Sequence, residues 1–529
     1  MIVNPIIPGF HPDPSIVRVG TDYYIAVSTF EWFPGVLIYH SKNLAEWKLV
    51  ARPLHRRKQL DMVGNPDSGG VWAPCLSYDG TKFYLVYTDV KSMKGMWRDM
   101  HNYLVMANSV TEEWSDPIPL NGVGHDPSLF HDDDGRVWLV QVSWDFVNGK
   151  NRFGGISLQE YDKKNQKLVG QRKIIFSGTG LGFTEAPHIY KHNGMYHLMV
   201  AEGGTWYQHC ACMARSQFID GQYEMHPYNP ILTSRDDESA PLQKAGHACL
   251  VEATNGDWYM VHLCGRPLTQ RGRCVLGRET AIQKVVWKEN GWLYLANGGR
   301  TPDLQVEIPD WTESHDYYKP IVQYDDFDGI ELNPVFQTLR RPLGRQTISL
   351  TKRAGYLRLR GAESLSSMHK QALIARRQQS FCYQAATCLE FRPTSSQHLA
   401  GLVAYYNTDN YAYACVSFRE GKGVVLRVIH CNRGECSEPL GEGLAINETG
   451  RYHLQLIVER DIGKFSYENI DGSWISLGPN FDYSRLSDDF ITGRAFTGTF
   501  IGLCCQDLSE EGKFADFDWF KYVETDSSI

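Results

Sequence analysis

Along the first three hundred residues, short runs of alternating apolar and polar positions are broken by turns of Asp, Asn and Gly, a pattern that predicts β-hairpins rather than helices. Five stretches share one layout: a small motif, a short strand, a polar turn and an aromatic-rich strand. They are HPDPSIVRVGTDYYIAVS from His11, WAPCLSYDGTKFYLVYT from Trp72, HDPSLFHDDDGRVWLVQ from His125, EAPHIYKHNGMYHLMVA from Glu185 and GHACLVEATNGDWYMVH from Gly246. The matching positions before each first strand are Asp13, Ala73, Asp126, Ala186 and His247, spaced 53 to 61 residues apart. A repeat of that length fits a four-stranded propeller blade with a generous loop, so residues 1–305 are predicted to form a five-bladed β-propeller.

The texture then changes. ANGGRTPDLQVEIP is rich in Gly, Pro and polar residues, and 306–323 reads as a linker. Beyond it, LVAYYN, YAYACVSF, GVVLRVIH and YHLQLIVE are again short strands between Gly and Asn turns, without the earlier period. Residues 324–529 are therefore predicted to form a jelly-roll-like β-sandwich, and the whole chain is all-β.

Composition narrows the function. A length of 529 residues fits two domains. The net charge of −8 argues against nucleic acid, and no apolar stretch is long enough to span a bilayer. Thirteen cysteines form no spaced framework and the start shows no export signal, so free thiols in the cytoplasm are expected. His209, Cys210 and Cys212 offer only three candidate zinc ligands, which strand alternation explains as well. The run Asp132 to Asp134 and the YENIDG stretch lack calcium-loop spacing and read as solvated turns.

In a propeller, equivalent positions of all blades form a ring around one funnel. Asp13, Asp126 and His247 share that ring, and Glu185 and Trp72 each lie one residue earlier on their blades. Singly, each has an ordinary structural explanation, such as an Asp that opens a turn before Pro. Together, three carboxylates in one pocket carry an electrostatic cost that suggests use. Glycoside hydrolysis fits best: one protonated carboxyl for the leaving oxygen, one carboxylate for water, and a third to tune the donor.

The motifs NPIIPGFHPDPS, FEWFPG, GVWAP, GHDPSLF, FTEAPHIY, AEGGT, AGHACLVE, LGRETAIQ and GTFIGLCCQD occur in order nearly end to end. In that ordered set the chain resembles glycoside hydrolase family 43, in particular its β-xylosidases with a C-terminal sandwich. The resemblance implies Asp13 as general base, Glu185 as general acid and Asp126 as the residue that tunes and orients Glu185. It implies Arg278 on the sugar hydroxyls, His247 in the substrate site beneath the sugar on the axis, and Trp72, Phe30 and Trp144 as apolar walls. Phe500, with Phe496 as a rival, is expected from the second domain, which would close the funnel and limit cutting to the non-reducing chain end. The implied reaction is release of xylose from β-1,4-xylooligosaccharides with inversion, the Asp13 and Glu185 carboxyls standing roughly 6.5–9.5 Å apart. No cofactor is required, although some relatives hold calcium on the axis near the equivalent of His247. A homo-oligomer is expected from the resemblance. The alternatives are an α-L-arabinofuranosidase on the same scaffold and a non-catalytic carbohydrate-binding propeller.

Overall fold

The structure, a computed structural model, describes residues 1–307, 321–446, 448–491 and 493–525. Of the linker expected over 306–323, residues 308–320 lie outside the described residues. The chain divides into one unit of Met1–Arg271 with Arg278–Tyr317, and a second of Gly272–Gly277 with Tyr318–Ile529.

In the first unit each hairpin repeat extends to a four-stranded antiparallel sheet, and the result is a five-bladed β-propeller. Blade I holds Ser15–Val19, Asp22–Val27, Leu37–Ser41 and Lys48–Ala51. Blade II holds Gly70–Tyr78, Phe83–Ser92, Asp99–Ala107 and Ile118–Asn121. Blade III holds Ser128–His131, Val137–Trp144, Phe153–Asp162 and Lys167–Phe176. Blade IV holds Glu185–His192, Met195–Glu202, Cys210–Ser216 and Glu224–Met225, with Leu232–Thr233 also paired to its third strand. Blade V holds Gln243–Glu252, Trp258–Gly265, Glu279–Trp287 and Leu293–Leu295.

Strand alternation places one apolar core between each pair of blades. On Met195–Glu202, Leu198 and Val200 enter the core shared with blade III, while Met199 enters the core shared with blade V. Ile16 and Ile25 of blade I meet Val251 and Val261 of blade V, so the last interface closes the circle. Near that closure Ile2–Val3 pairs with Gln305–Val306. The Asn4 side chain donates to the Ile282 carbonyl at 2.8 Å and accepts from the Ile282 amide at 2.8 Å.

The five positions matched in sequence share one unusual backbone state. Asp13, Ala73, Asp126, Ala186 and His247 all have positive φ, from 38° to 56°. A left-handed residue costs roughly 1–2 kcal/mol in an L-chain, and finding it on every blade makes it a property of the repeat. Ladder register shifts accompany it between Trp72 and Cys75, Glu185 and His188, and Gly246 and Ala248. Such bulges re-aim side chains at the strand entrance.

The second unit is a sandwich of two antiparallel sheets, one of nine strands and one of seven among the described residues. Its last strand, Phe514–Glu524, lies between Leu357–Arg360 and Cys382–Glu390. In the other sheet Phe500–Asp507 lies between Leu373–Arg377 and His398–Asn407. Eleven cysteines are free thiols. Cys431 and Cys436 depart from that expectation: they face each other across the hairpin of Gly423–Asn432 and Glu435–Ser437 and are joined as a disulfide.

Candidate active site

The ring holds its acids in unlike surroundings. Asp13 is buried and its Oδ1 accepts from Arg278 Nη1 at 2.8 Å, with His247 Nδ1 at 3.5 Å. Its Oδ2 accepts from the Ser28 hydroxyl at 2.6 Å. Burial alone would push the Asp13 carboxyl up, but the Arg278 cation, His247 and the Ser28 hydrogen bond outweigh it and hold the group below the usual carboxylate range. Asp13 is thus fixed as an anion at neutral pH.

Asp126 is the opposite case. Burial raises its carboxyl; His125 and His247 pull it down, while the negative fields of Glu185 and Asp13 add to the rise. Its Oδ2 accepts from the backbone amide of Ala186 at 3.0 Å, which pins the start of the strand that carries Glu185. One terminal atom each of His125, Asp126 and Glu185 lies within 4.8 Å of the other two. Glu185 is half-buried, and its Oε1 lies 3.2 Å from His125 Nε2.

Aromatic rings continue outward from these groups. Phe30 lies 5.7 Å from Phe10 and 5.9 Å from Trp72, and the Arg278 guanidinium sits over its face at 5.3 Å. Trp72 meets His125 edge-on at 5.7 Å, and His125 stacks on Trp144 at 5.5 Å. Sugars present an apolar CH face that such rings accommodate. The wall residues expected from the sequence, Phe30, Trp72 and Trp144, are therefore one connected chain of rings beside the carboxylates. Trp144 is not only a wall, since its Nε1–H donates to His125 Nδ1 at 2.8 Å.

Phe500 opens its strand in the second unit, fully buried, with the Arg377 guanidinium over its ring at 5.1 Å. Phe496 precedes that strand and is half-buried. Ser28 and His125 join the site although the repeat alone does not single them out. His125 carried a signal nonetheless: it occupies the blade III position that Trp72 fills on blade II and Glu185 on blade IV. The zinc candidates are engaged otherwise. His209 Nδ1 faces the Lys244 carbonyl at 2.9 Å, and the Cys210 thiol faces the Glu202 carbonyl at 3.5 Å.

A model of the glycosyl hydrolases family 43 matches residues 2–293. A model of the β-xylosidase C-terminal concanavalin A-like domain matches residues 324–523. The chain is 48% identical to a β-xylosidase of Bacillus subtilis (strain 168), covering 99% of both chains. It is also 48% identical to a xylosidase/arabinosidase 43B of Humicola insolens, over 98% of this chain and 97% of that one. The crystal structure of a xylan β-1,4-xylosidase from Bacillus halodurans C-125 superposes with a TM-score of 0.97 at 52% identity, covering 99% of this chain and 100% of that one.

Proposed function

Because the chain belongs to glycosyl hydrolase family 43, whose members invert the anomeric centre, we propose that it is an exo-β-xylosidase that removes xylose from the non-reducing end of β-1,4-xylooligosaccharides. The observation that carries this reading is the contrast between Asp13, held ionised by Arg278, and Glu185, backed by Asp126 and His125 at another blade of the same ring. Asp13 takes a proton from water as the water oxygen bonds to the anomeric carbon. Glu185 gives its proton to the glycosidic oxygen as that bond breaks, and the free xylose leaves in the α configuration. Arg278 and His247 orient sugar hydroxyls, and Phe30, Trp72 and Trp144 enclose the ring.

Asp13→Ala and Glu185→Ala should each lower xylobiose turnover by at least about 10²-fold while the fold is kept, as circular dichroism would show. Near-wild-type rates in either variant would remove that residue's role. Arabinofuranosidase activity is the second reading, supported by the Humicola insolens relative. Initial rates on aryl β-xyloside and aryl α-L-arabinofuranoside separate the two. The Asp13 charge is met by Arg278, His247 and Ser28, which supports metal-independent chemistry; chelator treatment should leave kcat unchanged. Residence in the cytoplasm is supported by the eleven free thiols and is tested by cell fractionation. Assembly as a homo-oligomer is supported by the exposed Trp474 and Ile475 on a sheet-edge strand and is tested by light scattering.

A further inference from the structure

His125 lies between two groups that the reading above uses, and its contacts define which nitrogen carries its proton. Indole Nε1–H is a donor only. Trp144 donates it to His125 Nδ1 at 2.8 Å, so Nδ1 must present a lone pair. The proton of the neutral ring then sits on Nε2, which donates to Glu185 Oε1 at 3.2 Å. Among the described residues Glu185 Oε2 has no hydrogen-bond partner, which leaves it to hold the acidic proton and face the leaving oxygen.

We propose that Trp144 locks His125 in its neutral Nε2–H form and that His125 is thereby the positioning residue that keeps Glu185 a competent acid. The inference rests on Glu185 being the general acid. Trp144 is itself held: the Arg98 guanidinium lies over its ring at 4.1 Å and Phe146 stacks on it at 6.4 Å.

The lock opposes a strong local field. Burial would lower the His125 imidazole, but the charge of Asp126, the hydrogen bond and charge of Glu185, and the charge of Asp13 draw it above the usual histidine range. An imidazolium has no lone pair for the Trp144 N–H, so forming it would set two donors against each other. The charged and titratable groups around the pair are Asp126 on the same blade, Glu185 and His209 on blade IV, Asp13 on blade I, His247 and Arg278 on blade V, and Arg98 on blade II, whose guanidinium lies over the Trp144 ring. Without the indole donor this field would favour the imidazolium, which would hold Glu185 ionised and withhold its proton.

The test is the pH profile of kcat/KM on xylobiose for wild type, Trp144→Phe, His125→Gln and the double variant. Trp144→Phe keeps the stacked ring and removes the donor. Its alkaline limit should fall by about one pH unit. In the His125→Gln background, where no cation can form, the same substitution should leave that limit where it is. On 2,4-dinitrophenyl β-xyloside, whose leaving group departs without a proton, the alkaline limits of Trp144→Phe and wild type should no longer differ. An unchanged alkaline limit in Trp144→Phe, or an equal shift with and without His125, overturns the proposal. Full activity of Glu185→Gln on xylobiose would instead remove the acid assignment and this inference with it. Should Trp144→Phe not fold, the wild-type His125 ring-nitrogen resonances decide. A neutral Nε2–H ring at the pH optimum supports the lock, and an imidazolium or Nδ1–H ring there overturns it.

Discussion

Asp13 and Asp126 are the same residue type at the same left-handed backbone position, and their surroundings move their carboxyls in opposite directions. The lowered Asp13 group sets the sign of one pH effect. Removing Arg278 leaves its buried carboxylate without the main opposing cation, so the carboxyl rises. Arg278→Met should therefore move the acid limit of kcat/KM upward by at least about one pH unit, besides raising KM. The limits of such a profile belong to the coupled set of carboxyls. For Asp126 the sign is reversed. A carboxyl raised in the folded state contributes stability below its unfolded value, and this is lost as pH rises through the folded value. Its charge is therefore destabilising at neutral pH. Asp126→Asn keeps an acceptor for the Ala186 amide and removes the charge. It should raise Tm by about 2 °C at pH 7 while activity falls, as a thermal melt and a xylobiose assay would show. Residue types were legible in the sequence because the repeat aligned them; charge states were not, because they depend on side chains that only folding brings together, Ser28 from the far end of the same hairpin and Arg278 from the last blade. Asp132 makes the same point. It reads as part of a solvated acidic turn, yet it is buried, accepting from Lys191 Nζ at 3.0 Å and the Tyr196 hydroxyl at 2.8 Å.

At the scale of the element, the blade entrance is the recurring device. A positive-φ residue opens every blade, with a ladder shift beside it on blades II, IV and V, and Trp72, His125 and Glu185 meet there on adjacent blades. Hydrophobic alternation reveals the strands and hides this entrance, since neither φ nor a bulge changes the apolar pattern. Packing there leaves little room. A Cβ on Gly124, directly before His125, would lie 1.9 Å from the Val142 carbonyl oxygen, a backbone atom in the neighbouring strand. Gly124→Ala should destabilise the propeller by about 2 kcal/mol or more and lower activity through His125; a denaturant melt measures it. Val142 is otherwise bonded in register, so a melt matching wild type would mean that the strand entrance can shift freely.

Over the whole molecule, what repeats was legible and what does not was hidden. The 53- to 61-residue period exposed the propeller because each blade pairs strands that follow one another. The sandwich offers no such period. Phe514–Glu524 pairs with strands more than one hundred residues earlier, and alternation marks it as a strand without naming its neighbours. The grouping of Gly272–Gly277 with the second unit was hidden for the same reason: Arg273 Nη1 donates to Ser484 at 2.7 Å and the Cys274 amide to Asp489 at 2.9 Å, across two hundred residues. The central claim is that water, activated by Asp13, attacks while Glu185 protonates the leaving oxygen, and the anomer first released reports this directly. Proton NMR of xylobiose in the first minutes after adding enzyme should show α-xylose appearing before β-xylose grows in by mutarotation. β-Xylose appearing first would contradict the claim and require a covalent intermediate on one of the carboxylates.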